Sequence, residues 1–445
     1  MRSARAGRAG RTVLRLHVVR DDGVDYYLAD LAHDGARVVG GPGVAGESPG
    51  EWAGRGSAAL GLRGAVGAPH LADVLSGRDP DGGGALRQAR GSRAVCGFDL
   101  VFAAPKAVSL LHLLAPRELG EAAGAAHVAA VADAVHYLEG AGLGVRRSRG
   151  GQVHQLGTTG AVAAGFVHRT SRALDPHLHS HVVTSNVAQG LDGRWSSLDS
   201  RRMFHHRRAT QAVYDASLRH HLTGSAGVAW QRGAPSGPWE VVGVDPVLCR
   251  LFSQRAASID ESSHRTAGGR GSPGVRRVAY FADRPAKDRD VTFDQLRSVW
   301  SRRAASMGLD VNDLVEVVGR APPSVPGGRI RASEVSERLD RSPATRRTVT
   351  SRDLVAAVAD AAPQGLCRAE VARVAGAAGA AGGDLRHDGA PWTADRVAGT
   401  VERILGTGPG PTERVPRAGG TGRRAGRDLG DGSDRHDRPS VDLGR

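Results

Sequence analysis

Four histidines lie within fourteen residues of the stretch HRTSRALDPHLHSH, residues 168–181. Three of them, His177, His179 and His181, alternate with other residues. Successive side chains of a strand point to opposite faces, so on a strand these three share a face. His168 would close a preceding strand, and an antiparallel partner would bring it alongside. Two imidazoles at i and i+2 and one from a neighbouring strand make a three-ligand face with open coordination positions. Such a site suits catalysis rather than a closed structural metal. Four histidines exceed what that face needs, so one is a bystander. A histidine-rich surface strand without metal is the competing reading.

Two other stretches carry chemistry. DGVDYYLADL (21–30) holds Tyr26 and Tyr27, two of only five tyrosines in the chain. A tyrosine beside a metal-bound phosphate is a nucleophile able to store a phosphodiester as phosphotyrosine. A tyrosine pair standing alone is more often the edge of a strand or helix. GFDLVFAAPKAVSLL (97–111) holds Asp99. A carboxylate there caps a turn or, near histidine ligands, accepts a ring N–H and fixes the tautomer.

The elements that must position these groups follow from periodicity and breakers. TVLRLHVV (12–19), GFDLVFAAP (97–105), GAVAAGFVHRT (160–170) and LHSHVVTSNVAQ (178–189) read as strands. A turn around Asp175-Pro176 joins the last two. A helix is expected from Lys106 to about residue 142, and an amphipathic one over 207–227. Residues 33–56 read as a Gly/Pro loop, and 245–310 as mainly helical with a Gly-rich break at 267–274. A boundary is expected at GRAPPSVPGGR (319–329), with two short helices over 350–375. The division expected is a disordered basic arm (1–11), a main domain (12–318), a linker (319–349), a small helical unit (350–406) and a tail (407–445). The tail has too few large apolar residues to offset chain entropy and reads as disordered.

Composition narrows the classes. The net charge of +14 favours polyanionic partners. With only two lysines, Lys106 and Lys287, the basic excess is almost all arginine, as high-GC coding produces, so charge alone does not decide for nucleic acid. Three dispersed cysteines form no CxxC pair or disulfide framework, which fits a reducing cytoplasm. The basic N-terminus lacks the apolar run of a secretory signal, and no segment approaches the roughly 18 apolar residues of a membrane span.

Taken together, the stretches resemble the relaxase domain of TrwC/TraI-type (MobF) conjugative relaxases, especially actinobacterial members. The likeness rests on the tyrosine pair, EWAGRGSAALGL (51–62), GFDLVFAAPKAVS (97–109) and HRTSRALDPHLHSH (168–181), in order over roughly 12–310. VVTSNVAQGLDGRWSSLD (182–199) continues it. The resemblance implies an α/β (α+β) fold of HUH-endonuclease type: a central antiparallel sheet of about five strands flanked by helices, a helical C-terminal part and a disordered tail. It implies metal ligands at His168, His179 and His181, with His177 the bystander. It implies a nucleophile at Tyr26 or Tyr27. Asp99 would orient a ligand histidine and help deprotonate the tyrosine, and Lys106 and Arg172 would contact DNA.

The activity implied is site- and strand-specific nicking of single-stranded or hairpin DNA at an origin of transfer through a 5′-phosphotyrosyl intermediate. Mg²⁺ or Mn²⁺ is the expected ion, with Zn²⁺ suggested by the softness of the ligands. Accessory DNA-binding proteins and a transfer coupling protein are expected partners.

The departures are a missing second tyrosine pair, hydroxyls replaced at Ala103 and Ala107, and no G-x-x-x-x-G-K-[ST] in these 445 residues. They leave two rivals: a rolling-circle replication initiator with the same chemistry, and a degenerate non-catalytic DNA-binding remnant of a truncated gene.

Overall fold

The computed structural model describes residues 14–20, 24, 28, 50–88, 94–171, 173–232, 237–254, 292–321, 330–340 and 349–380. Tyr26, Tyr27 and Arg172 lie outside them, as do the arm at 1–11, the break at 267–274, the tail at 407–445 and most of the boundary at 319–329.

A five-stranded sheet forms the centre, in the order β1-β3-β7-β6-β2 and antiparallel throughout. Its strands are β1 (Arg15–Arg20), β2 (Glu51–Ala53), β3 (Val95–Ala103), β6 (Ala163–Thr170) and β7 (Pro176–Ser185). The alternation in PHLHSHVVTS sets the two faces of the middle strand β7. Leu178, Ser180, Val182 and Thr184 are buried on one side, and the histidines point to the other, where they are half-buried. Phe98, Leu100 and Phe102 of β3 join Leu178 and Val182 in the main core. On the opposite side Val183, Ala164, Phe166 and Trp52 form a smaller cluster with Leu71 and Leu75 of the helix Ala68–Ser76. Val24 and Leu28 pack against this cluster.

The main core is closed by helices. The expected helix from Lys106 is two, α1 (Lys106–Leu114) and α2 (Arg117–Ala141). Pro116 stands at the break, where it has no N–H to give the helical ladder. Along α2, Ala123, Ala126, Ala130 and Ala134 make a stripe of small buried residues. Against it lies α3 (Ser200–Ala226), with Ala209, Val213, Ala216 and Ser217 buried. This helix starts seven residues before the expected position because the Asp199 carboxylate accepts from Arg201 N.

The segment EWAGRG has a packing reason for its first glycine. Gly54 sits at φ +82°, and a Cβ there would lie 2.4 Å from the Ala161 carbonyl oxygen. The buried Glu139 carboxylate ties the same corner together by accepting from Arg55 N (2.7 Å) and Ala161 N (2.9 Å).

Downstream of the sheet, α4 (Phe293–Ala305) starts at a Thr292/Gln295 capping box. Further on, α5 (Ser351–Ala361) and α6 (Arg368–Ala380) occupy the region expected to hold two short helices. The boundary expected at 319–329 does not divide the hydrophobic core. Leu354, Val358 and Leu366 belong to the same cluster as the sheet. The buried Arg219 guanidinium of α3 donates to Ala359 O (2.8 Å) and Ala362 O (3.0 Å).

Candidate active site

The register of the three inner strands assembles the site. His168 of β6 faces His179 of β7, and Val101 of β3 faces His181. One ligand atom from each of His168, His179 and His181 lies within 4.8 Å of the others. The ring centroids are 5.2 Å apart for His168–His179, 5.1 Å for His168–His181 and 5.4 Å for His179–His181. Among the described residues this is the group of three metal-capable side chains so arranged.

The outer nitrogens of two rings have acceptors. His181 Nδ1 is 2.8 Å from Oδ2 of Asp99, a buried carboxylate on β3. His179 Nδ1 is 2.9 Å from the His177 carbonyl. An acceptor at Nδ1 puts the ring proton there and the lone pair on Nε2. Burial, reinforced by His181, depresses His168 to a pKa of about 3. Burial also drives His179 well below the ordinary histidine value. His168 and His179 are therefore neutral at physiological pH, the form that ligates. Three imidazoles converging on one half-open face fit a divalent ion.

His177 is on the same strand but outside this group. Its ring stacks on His179 at 4.6 Å. Lys106 turns its ammonium inward, donating to Pro176 O at 2.5 Å, and burial lowers its pKa to about 8. Ala103 is the register partner of His179.

Sequence reasoning missed the support behind the strand. Ser180, between His179 and His181, turns its hydroxyl into the core, where Oγ is 2.8 Å from His127 Nε2. His127 Nδ1 is 2.8 Å from the Tyr214 hydroxyl. The one available signal was a hydroxyl residue between two site histidines, and nothing in the sequence points from there to α2.

A family model described as TrwC relaxase matches residues 9–307, more than half of the chain. The chain belongs to the TrwC relaxase family. Two curated relatives, both named multifunctional conjugation protein TraI, come from Escherichia coli and from its strain K12. They are 36% and 35% identical over 222 residues, which is 47% of this chain. The chain spans 12% of the length of these relatives.

Solved structures of the conjugative relaxase TrwC with oriT DNA are also similar. The metal-free complex has 28% identity and a TM-score of 0.57, and the metal-bound complex 29% and 0.58. A third is TrwC with a 27-mer DNA comprising the recognition hairpin and the cleavage site, at 28% and 0.57. Each match covers 67% of this chain and 100% of the TrwC chain. The mixed α/β fold expected from the resemblance is thus the TrwC relaxase fold. Among the described residues no helix is long and apolar enough to cross a membrane.

Proposed function

We propose that the chain nicks one DNA strand at an origin of transfer by metal-assisted transesterification. The observation that carries this is the convergence of His168, His179 and His181, with Asp99 behind His181. A divalent ion held by these three imidazoles, Mg²⁺ or Mn²⁺ from the phosphate chemistry, would act as a Lewis acid toward the scissile phosphate.

The residues supply the remainder. Tyr26 or Tyr27 is the nucleophile. Its phenolate oxygen forms a bond to phosphorus while the P–O3′ bond breaks, leaving a 5′-phosphotyrosyl link and a free 3′-hydroxyl. The phosphodiester energy is retained, so the step reverses to rejoin ends. Asp99 holds the His181 ring in its ligating tautomer and helps take up the tyrosine proton.

A basic surface supports the DNA partner. Residues 145–149 and 152–156 form a two-stranded ribbon, β4 and β5, on which Arg146, Arg149 and His154 are exposed. A ribbon of this kind fits a DNA major groove.

The test is cleavage of a labelled origin-of-transfer oligonucleotide with Mg²⁺ or Mn²⁺, followed by mass spectrometry after reaction with a suicide oligonucleotide. A single adduct on Tyr26 or Tyr27 is expected. Binding without cleavage under every ion would instead favour the non-catalytic reading, to which Ala103 opposite His179 lends weight. A replication origin cut in preference to an origin of transfer would favour the replication initiator.

A further inference from the structure

The turn between the two histidine strands is held from outside the sheet. Within it, Ser171 N donates to Asp175 O at 2.9 Å, and Ser171 Oγ accepts from Asp175 N at 3.2 Å. Leu174 adopts φ +56°, the one non-glycine positive φ among the described residues. A bulky side chain rarely enters that region unless its surroundings impose it.

The surroundings are donors from three other segments. Lys106 Nζ, at the start of α1, donates to Pro176 O at 2.5 Å. Trp300 Nε1, on α4, donates to Leu174 O at 2.9 Å. The buried Asp175 carboxylate accepts from Gln254 N at 2.8 Å and Gln254 Nε2 at 2.7 Å, and Arg303 Nη1 lies 3.7 Å away.

The ladder does not fix this end of the sheet by itself. His168 pairs with His179, but the next pair is Thr170 with Pro176. Two residues of β7, His177 and Leu178, therefore stand opposite the single Arg169 of β6. Such a bulge disrupts the ladder and re-aims side chains. Here it adjoins the pair that brings His168 to His179.

We propose that Lys106 and Trp300 are positioning residues for the histidine site: they clamp the bulged start of β7 and so set how His179 meets His168. This assigns the Lys106 ammonium to protein rather than to DNA phosphate. It also makes the site depend on a residue 126 positions downstream of the turn it holds. The inference rests on the relaxase reading above.

The experiment uses the full chain, Mn²⁺ as probe and the variants Lys106→Met, which keeps bulk, and Trp300→Phe, which keeps an aromatic ring; both lose the donor. Each is expected to weaken calorimetric Mn²⁺ binding about 10-fold, the lower end of what supporting contacts around metal ligands are worth. The kcat for nicking should fall by a similar factor, while KM for the oligonucleotide and the salt slope of DNA binding stay as in wild type. The double variant should lose less than the product of the two, because both donors hold one turn.

Melting curves at each variant's assay temperature separate positioning from folding. A lowered Tm with unchanged Mn²⁺ affinity in the folded fraction overturns the proposal. So does a Lys106→Met variant that binds DNA more weakly with a shallower salt slope, as loss of a phosphate contact would produce. A wild-type chain that neither binds Mn²⁺ nor nicks overturns the relaxase reading, and the positioning role with it. A wild type that does both beside unaffected variants overturns the positioning role alone.

Discussion

Two imidazole sites lie back to back on β7 and use similar physics for different ends. On the core side His127 is buried with a pKa of about 3, depressed chiefly by desolvation. On the other side His168 has a pKa of about 3 for the same first cause. Burial and titration therefore do not tell the two apart. What differs is where the ring nitrogens point. His127 engages one hydroxyl with each nitrogen, Tyr214 at Nδ1 and Ser180 at Nε2. In His179 and His181 it is Nδ1 that meets a carbonyl or carboxylate, so the lone pair sits on Nε2, and these two rings converge with His168. The ring with two bonded nitrogens ties the strand to α2 and α3, and the converging rings are so placed that they could hold a metal ion.

The largest test of this contrast is His179→Ala. It should bring Mn²⁺ binding and metal-dependent nicking below detection while leaving the melting curve near wild type. Retained Mn²⁺ binding in calorimetry would remove His179 from the ligand set.

Asp99→Asn comes next. Weakening the acceptor behind His181 should cost about 10–100-fold in metal affinity. An unchanged Mn²⁺ isotherm would show that the Asp99–His181 contact tunes nothing.

His127→Phe should do the reverse. It leaves the Ser180 and Tyr214 hydroxyls without their partner in the core, a loss of about 1–3 kcal/mol. Urea unfolding measures it, and Mn²⁺ affinity of the folded protein should stay within a few-fold of wild type. Loss of metal binding larger than loss of stability would mean that the two faces of β7 are coupled.

The pH dependence sharpens the same point. The unfolded chain protonates a histidine as pH falls through about 6.5, whereas folded His127 stays neutral to about 3. Its contribution to stability is therefore complete above about pH 6.5 and is lost progressively as pH falls toward 3. Unfolding curves between pH 7 and pH 4 should show a shallower dependence in His127→Phe, by up to one proton. An identical dependence would contradict the burial of a neutral ring.

The smallest effect is expected from His177→Ala. The ring stacks on His179 but lies outside the converging group, so most cleavage should remain. A loss equal to that of His179→Ala would make His177 a ligand.

Much of the fold was legible because it is written in local periods. The histidine alternation at 177–181 marked β7 within a strand expected over 178–189, and the helix expected from Lys106 marked α1. The β4–β5 ribbon was not legible. Its RRSRGGQVHQ is exposed but for the half-buried Arg147, so no apolar period marks it. The core helices beyond 350 were read as a separate unit because short helices do not reveal their partner. It is the buried Arg219, donating to carbonyls about 140 residues away, that joins them to the sheet's core.

By itself the sequence determined that three histidines would share one face of a strand, that an acidic residue would lie on another strand, and that the family would be that of the relaxases. The first two follow from residue types at short spacing, which near neighbours along the chain enforce, and the family from the resemblance of its ordered motifs. The tertiary structure alone decided that His168 faces His179, that Asp99 reaches His181 across 82 residues, and that Lys106 bonds to Pro176. A period of two tells a strand which face is which but not which strand it pairs with or in what register. Pairing and register are settled when both faces of the sheet are buried against their helices at once, and with them the partner of each ring nitrogen.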